Sequence, residues 1–193
     1  LALVENTFAD HPGSLDEFDW PVTARHAKQA LEDSVQNRLH EFGRVQDAMW
    51  MGEPYLFHSR LSVAMNLKLL DPRLVVDAVG QADVPINSKE GFIRQVIGWR
   101  EFVYQVYHLK MPGYLESNFL DADLPLPVFY WSGETEMHCI SDAIGTLSSR
   151  GINHHIQRLM VLGLYAQLLG VHPAKFNDWH MAMYADAVDW VSL

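Results

Sequence analysis

Two adjacent histidines open an apolar stretch in "HHIQRLMV", His154 to Val161, and Arg158 follows His154 by four residues. Asn153 before them and Gly170 beyond predict a helix over 154–169, with Asn153 as its cap and both histidines in its first turn. Four residues are close to one turn, so His154 and Arg158 share a face. Unsatisfied backbone N–H groups and the positive end of the helix dipole gather at that place, which suits a ligand that carries or develops negative charge. An imidazole there can also exchange a proton near neutral pH. On residue types alone, a binding site and satisfied polar packing stand about even.

Three other stretches could do chemistry. "HSRLS", His58 to Ser62, places two hydroxyls three residues apart at a helix start, where both can reach phosphate oxygens; an N-cap Ser59 with an incidental Ser62 is the plainer alternative. "GWREF", Gly98 to Phe102, sets Arg and Glu between aromatics inside a long helical pattern, a poor surface and a poor core. His138 beside Cys139 hints at metal, yet one cysteine with scattered histidines has no zinc spacing. His108 reads as a favourable charge near a helix C-terminus, and the six Trp and eight Met read mostly as core.

The elements that must position these residues are helices. "VTARHAKQALEDSVQNRLHEF" carries Val22, Ala27, Ala30, Leu31, Val35, Leu39 and Phe42 at helical spacing and is expected to stop at Gly43. Ser59 is expected to cap a helix through Leu70, and "DPRLVVDAV" starts another with proline in its first turn. Asn87 and Glu90 have capping-box spacing ahead of a helix over roughly 88 to 109. A proline-bearing coil spans about 120 to 131. Further helices are expected from about 136 to 149, ended by Gly151, from Pro173, and in "MAMYADAVDWV". No alternating β-branched runs appear. The expected class is all-α, with residues 1–193 forming one multi-helix domain.

Composition bounds the function. With 49% hydrophobic residues in 193, the chain reads as globular, and no apolar run approaches the ~18 residues needed to span a bilayer. One cysteine and no signal peptide fit a reducing, cytoplasmic setting. The net charge of −10 argues against a broad nucleic-acid surface, so any DNA contact must be a local site.

Together, "HSRLS", "WREF", "WSGET" (Trp131 to Thr135) and "HHIQRLM" resemble, in order and approximate separation, four motifs of the photolyase–cryptochrome superfamily. "YLFHS", "GFIRQVIGWREFV", "MPGY", "FYWSGET" and "HHIQRLMV" closely resemble its bacterial iron–sulfur branch, the deoxyribodipyrimidine photolyase-related proteins. The likeness runs from about Phe42 onward. It implies a truncated piece of the helical FAD-binding domain, with the antenna-binding N-terminal domain, its chromophore, and a C-terminal cluster-binding segment outside the sequence.

The resemblance implies that Ser59, Leu61 and Ser62 hold the FAD phosphates, with His58 in place of a usual threonine. It implies that Arg158 lies beside the flavin ring with Asp186 as its carboxylate partner. His154 and His155 match the paired active-site histidines, with His155 as proton donor to the lesion. Trp131 and Trp179 match carriers of the photoreduction chain, although His180 stands where a tyrosine is expected. Cys139 matches the first of four thiolates on a [4Fe–4S] cluster; the other three would lie beyond Leu193. The implied activity is FAD-dependent, blue-light-driven repair of pyrimidine photoproducts in DNA, of the (6-4) type, with the lesion flipped out to reach the flavin. A cryptochrome-like light sensor and a flavin-free helical interaction module are the alternatives.

Overall fold

A computed structural model describes residues 1–192, and helices dominate it. The described β structure is two isolated bridges, Trp50 with Glu53 and Leu124 with Val171, so the all-α expectation holds. Among the described residues, no helix is long and apolar enough to cross a membrane. Two compact units form: residues 1–19 with 116–185, and residues 20–115 with the segment from 186 onward.

The second of these contains helices Ala24–Asn37, Leu39–Val45, Ser62–Asn66, Pro72–Gln81 and Ile86–Ile93, the last continuing through a π-helical stretch, Arg94–Trp99, into Arg100–Lys110. Its core joins Ala27, Leu31, Leu39, Phe42, Leu61, Met65, Leu70, Val75, Val79, Phe92 and Val96. The expected apolar stripe is therefore real, but two helices share it, and Val22 is exposed ahead of the first. Gly43 does not stop a helix. It lies inside Leu39–Val45, where an added Cβ would stand 2.5 Å from the Ser88 backbone nitrogen. This near-contact lets Gly43 N–H donate to Ser88 Oγ (3.0 Å) while Ser88 Oγ–H donates to the His40 carbonyl (2.9 Å).

Pro72 opens the helix Pro72–Gln81 as expected, and Asp71 caps it, accepting the Arg73 N–H at 2.9 Å. The helix expected from Ser59 to Leu70 is shorter, Ser62–Asn66, because Lys68 turns left-handed (φ 62°) and Leu70 is drawn into the core. The long helix starts at Ile86 behind Pro85 with no side-chain cap, so Asn87 lies within it and makes no capping box there. The Met111–Pro112 peptide after it is cis.

The first unit holds Ala2–Thr7, the four-residue turn Phe129–Ser132, His138–Arg150, a helix with a π-helical stretch at Gln157–Gly163 running into Leu164–Leu168, and Pro173–Met183. Gly151 and Gly170 take left-handed conformations (φ 68° and 76°) as the sequence predicts. The coil before Phe129 is tied down by Leu124, whose N–H donates to the Gly170 carbonyl and whose carbonyl accepts the His172 N–H, both at 3.0 Å. Its centre is aromatic: Trp179 and Tyr130 are fully buried, their rings 5.1 Å apart and nearly perpendicular, an arrangement that adds to the energy of burial alone.

Candidate functional site

Asn153 is not the cap of the histidine helix. Its Nδ2 donates to the Ala143 carbonyl (2.7 Å) and its Oδ1 accepts the Tyr184 hydroxyl (2.7 Å), so both ends of the buried carboxamide are occupied elsewhere. His154 caps instead. Its Nδ1 accepts the Ile156 N–H at 3.1 Å, and its own N–H donates to Gln157 Oε1 at 3.2 Å, a reciprocal arrangement of capping-box type. An Nδ1 that accepts a hydrogen bond leaves the ring proton on Nε2, so the cap sets the tautomer. His154 is buried and His155, now the first helical residue, is exposed. The two neighbours thus differ in environment.

Arg158 lies one turn on, its N–H donating to the His154 carbonyl at 3.0 Å and its guanidinium 4.1 Å from the centre of the Tyr184 ring. The same tyrosine stacks with His180 (4.3 Å, 27°) and meets Trp179 edge-on at 5.9 Å. Trp179 Nε1–H donates to the Tyr130 carbonyl at 2.9 Å, and Tyr130 donates its hydroxyl to the Leu162 carbonyl at 2.8 Å. Burial pushes the Tyr130 phenol well above its ordinary range. Trp131, the next residue, is 43% exposed. An aromatic series thus runs from Arg158 through Tyr184 and Trp179 to Tyr130, the residue before the partly exposed Trp131. The sequence pointed to Asn153 in another role, as a cap, and gave no reason to single out Tyr184, whose only signal is a hydroxyl between Met183 and Ala185.

Both helices that carry the distinctive motifs contain π-helical stretches, Arg94–Trp99 and Gln157–Gly163, where plain α-helix was expected. Such stretches concentrate at functional places because they re-aim side chains. At Gly163 an added Cβ would stand 3.1 Å from the Arg158 carbonyl oxygen.

In the other unit Leu61 is fully buried, which anchors the "HSRLS" loop, while Ser59 and Ser62 are half-buried. Arg60 takes a left-handed conformation (φ 60°) and sets its guanidinium 4.0 Å from the Tyr55 ring centre and 4.6 Å from that of Trp20. Ser59 Oγ accepts the Leu61 N–H at 3.4 Å, and Ser62 is the first residue of its short helix. His58 Nε2 lies 2.9 Å from the Gln46 carbonyl, and the His58 carbonyl accepts from Arg38 at 3.1 Å, so this residue fastens the loop.

Asp186 is buried, and its carbonyl accepts Asn66 Nδ2–H at 2.7 Å; Asn66 Oδ1 in turn accepts Arg100 Nη1–H at 2.8 Å. Burial pushes the Arg100 guanidinium down from its ordinary value. Beyond Asp186 the chain is held on the Arg100–Lys110 helix: Tyr107 donates its hydroxyl to Asp189, and Trp190 lies 5.0 Å from the Arg100 guanidinium. Trp99 and Phe102 of the same motif are exposed and meet edge-on.

The residues present bear on two implied groups. In one unit the Ser59 and Ser62 hydroxyls, and in the other the Arg158 guanidinium, are each of a type that suits a phosphate-bearing flavin. A [4Fe–4S] cluster needs four thiolates, and this sequence supplies one, the exposed Cys139. Among the described residues no group of three His, Cys, Asp or Glu gathers where it could hold a metal ion.

No family model matches the chain. It is 43% identical over 194 residues to the (6-4) photolyase of Agrobacterium fabrum, an alignment that takes in 98% of this chain and 38% of that protein. It is 29% identical over 113 residues to an uncharacterised protein of Acanthamoeba polyphaga mimivirus, across 56% of this chain and 86% of that one. The fold matches a bacterial class III photolyase from Agrobacterium tumefaciens (TM-score 0.75, 22% identity, 90% of this chain and 36% of that one). It also matches the Synechocystis cryptochrome (TM-score 0.78, 18% identity, 95% of this chain and 40% of that one). The chain thus spans about two fifths of the photolyase and cryptochrome relatives. A likeness that covers nearly all of this sequence, and a helical fold shared with both a photolyase and a cryptochrome, place it: the chain belongs to the photolyase–cryptochrome superfamily.

Proposed function

We propose that this chain is the flavin-binding part of a DNA photolyase that repairs pyrimidine photoproducts of the (6-4) type under blue light. The observation that carries this reading is the identity with a (6-4) photolyase, sustained from one end of this sequence to the other. When bound, FAD supplies the light-driven electron transfer. The chain's residues bind, orient and move a proton.

Ser59 and Ser62 offer hydroxyls to the FAD phosphates from a loop anchored by the buried Leu61. Arg158 in one unit and Asp186 in the other are the residues that the family likeness assigns to the flavin ring. Trp179, buried in the aromatic centre, and Trp131, partly exposed, fit roles as inner and outer carriers of the reducing electron. The environments of the histidines separate their tasks. His155, exposed at the first helical position, acts as proton donor to a flipped lesion. His154, whose Nδ1 is engaged in capping, holds the helix start and presents Nε2–H. The bound partner is DNA, met through this local site despite the net charge of −10. Cys139 would join a cluster only with three thiolates that this sequence does not contain.

The acidic balance favours one second reading, a cryptochrome-like sensor with the same flavin contacts and no repair. Blue-light treatment of the FAD-loaded protein with an oligonucleotide bearing a (6-4) photoproduct separates the two. Restoration of intact bases supports the photolyase reading. A flavin that photoreduces while the lesion persists supports the sensor.

A further inference from the structure

Asn66 stands in an apolar stretch, "SVAMNLKLL", where a carboxamide has no packing reason to be. It is 8% exposed, and both ends of its side chain are engaged by partners far away in sequence: Arg100, 34 residues on, and the Asp186 carbonyl, 120 residues on. The orientation of the amide follows from chemistry. A guanidinium only donates and a carbonyl only accepts, so the oxygen must face Arg100 and the nitrogen Asp186. No flipped arrangement satisfies both.

We propose that Asn66 and Arg100 are positioning residues for the flavin: Arg100 fixes the Asn66 carboxamide, and the carboxamide fixes the backbone at Asp186. This rests on the assignment of Asp186 to the flavin ring made above. The link lies in one compact unit, so it can be tight before any ligand arrives. Arg100 pays for this with lost hydration, offset by the Asn66 oxygen and by the Trp190 ring 5.0 Å away. Trp190 also approaches Lys68 (5.9 Å) and Tyr104 (5.9 Å), and Asp189 accepts from Tyr107, so the residues after Asp186 have their own anchor. The Asn66 contact is therefore specific to Asp186 and not the general fastening of the segment. A carboxylate held by its own backbone keeps its distance to a ring without conformational cost at binding.

The test is a titration of the purified chain with FAD, followed by flavin absorbance and fluorescence. Asn66→Asp keeps the shape and the oxygen facing Arg100 but removes the N–H that Asp186 accepts. Loss of that buried hydrogen bond should weaken FAD binding by about five- to a hundredfold. In an Asp186→Asn background the same substitution should add much less, because the position of a missing carboxylate no longer matters. Arg100→Lys, which keeps a cationic donor, should retain more affinity than Arg100→Met. This pair carries the test should Asn66→Asp fail to fold. Equal FAD affinity in parent and Asn66→Asp, or fully additive losses with Asp186→Asn, would overturn the positioning role while leaving the flavin reading intact. Equal affinity in Arg100→Lys and Arg100→Met would overturn the part given to Arg100. Absence of FAD binding in the parent chain would remove the flavin reading, and this inference with it.

Discussion

His154 Nδ1 accepts the backbone N–H of Ile156 at 3.1 Å, and this contact commits the first of two adjacent histidines to holding the helix start. Protonation at Nδ1 would remove the acceptor and open the helix start, so the capping role and a proton-cycling role conflict in the same ring. Replacing His154 with Ala should cost about 1 kcal/mol of stability, the usual loss for a removed N-cap. Asn, itself a good cap, should recover most of it. Chemical denaturation of the three proteins checks this, and equal stability of the Ala and Asn variants would contradict the capping role.

His155 gives the opposite expectation. It is exposed, so His155→Ala should leave stability and flavin content nearly unchanged. If it donates the proton to the lesion, repair should fall by about 10² to 10⁴. A stable, FAD-loaded His155→Ala protein that repairs at the parent rate would falsify this assignment.

Gly43 is expected to be intolerant of any side chain. A Cβ there would meet the Ser88 backbone nitrogen at 2.5 Å, and backbone cannot swing away as a flexible side chain can. Gly43→Ala should therefore destabilise by roughly 1–3 kcal/mol, the range for an overpacked contact. A helical Gly→Ala change without such a clash would instead stabilise. The sign of the change in urea midpoint settles it.

The acid limb of stability should include Asp71. Its hydrogen bonds with the Arg73 side chain and backbone hold the carboxyl at about 2, below its value in an unfolded chain. A depressed folded value means that the contribution is fully present above about pH 4 and is lost as pH falls through about 2. Asp71→Ala should thus lower stability at neutral pH and shrink the difference from the parent on acidification. A gap that stays constant between pH 5 and 2 would contradict the linkage.

Local signals carried much of the fold. Asp71 before Pro72, and Gly151 and Gly170 after helices, announce ends through capping and backbone geometry that involve only near neighbours. Where a distant partner intervenes, the same rules mislead. Asn153 has good capping chemistry, but Ala143 and Tyr184 take both ends of its side chain, and the cap passes to His154. Gly43 looks like a stop because glycine often is one; its reason for being is the backbone of another helix. In the candidate site, the histidines, the serines and Arg158 stood out through motif likeness and clustering. Asn66 and Tyr184 did not, since their partners lie 120 and 31 residues away. The π-helical turns leave no simple trace in apolar spacing.

The claim on which the rest depends is that this chain holds FAD with Arg158 at the ring. The most direct measurement is equilibrium binding of FAD to the purified chain and to its Arg158→Ala variant, with protein folding checked by circular dichroism. The expected result is one FAD per parent chain and weaker binding by the folded variant, as a lost charged contact commonly costs about 1.5–3 kcal/mol. A folded parent that takes up no FAD, or a variant that binds it as tightly as the parent, would contradict the assignment.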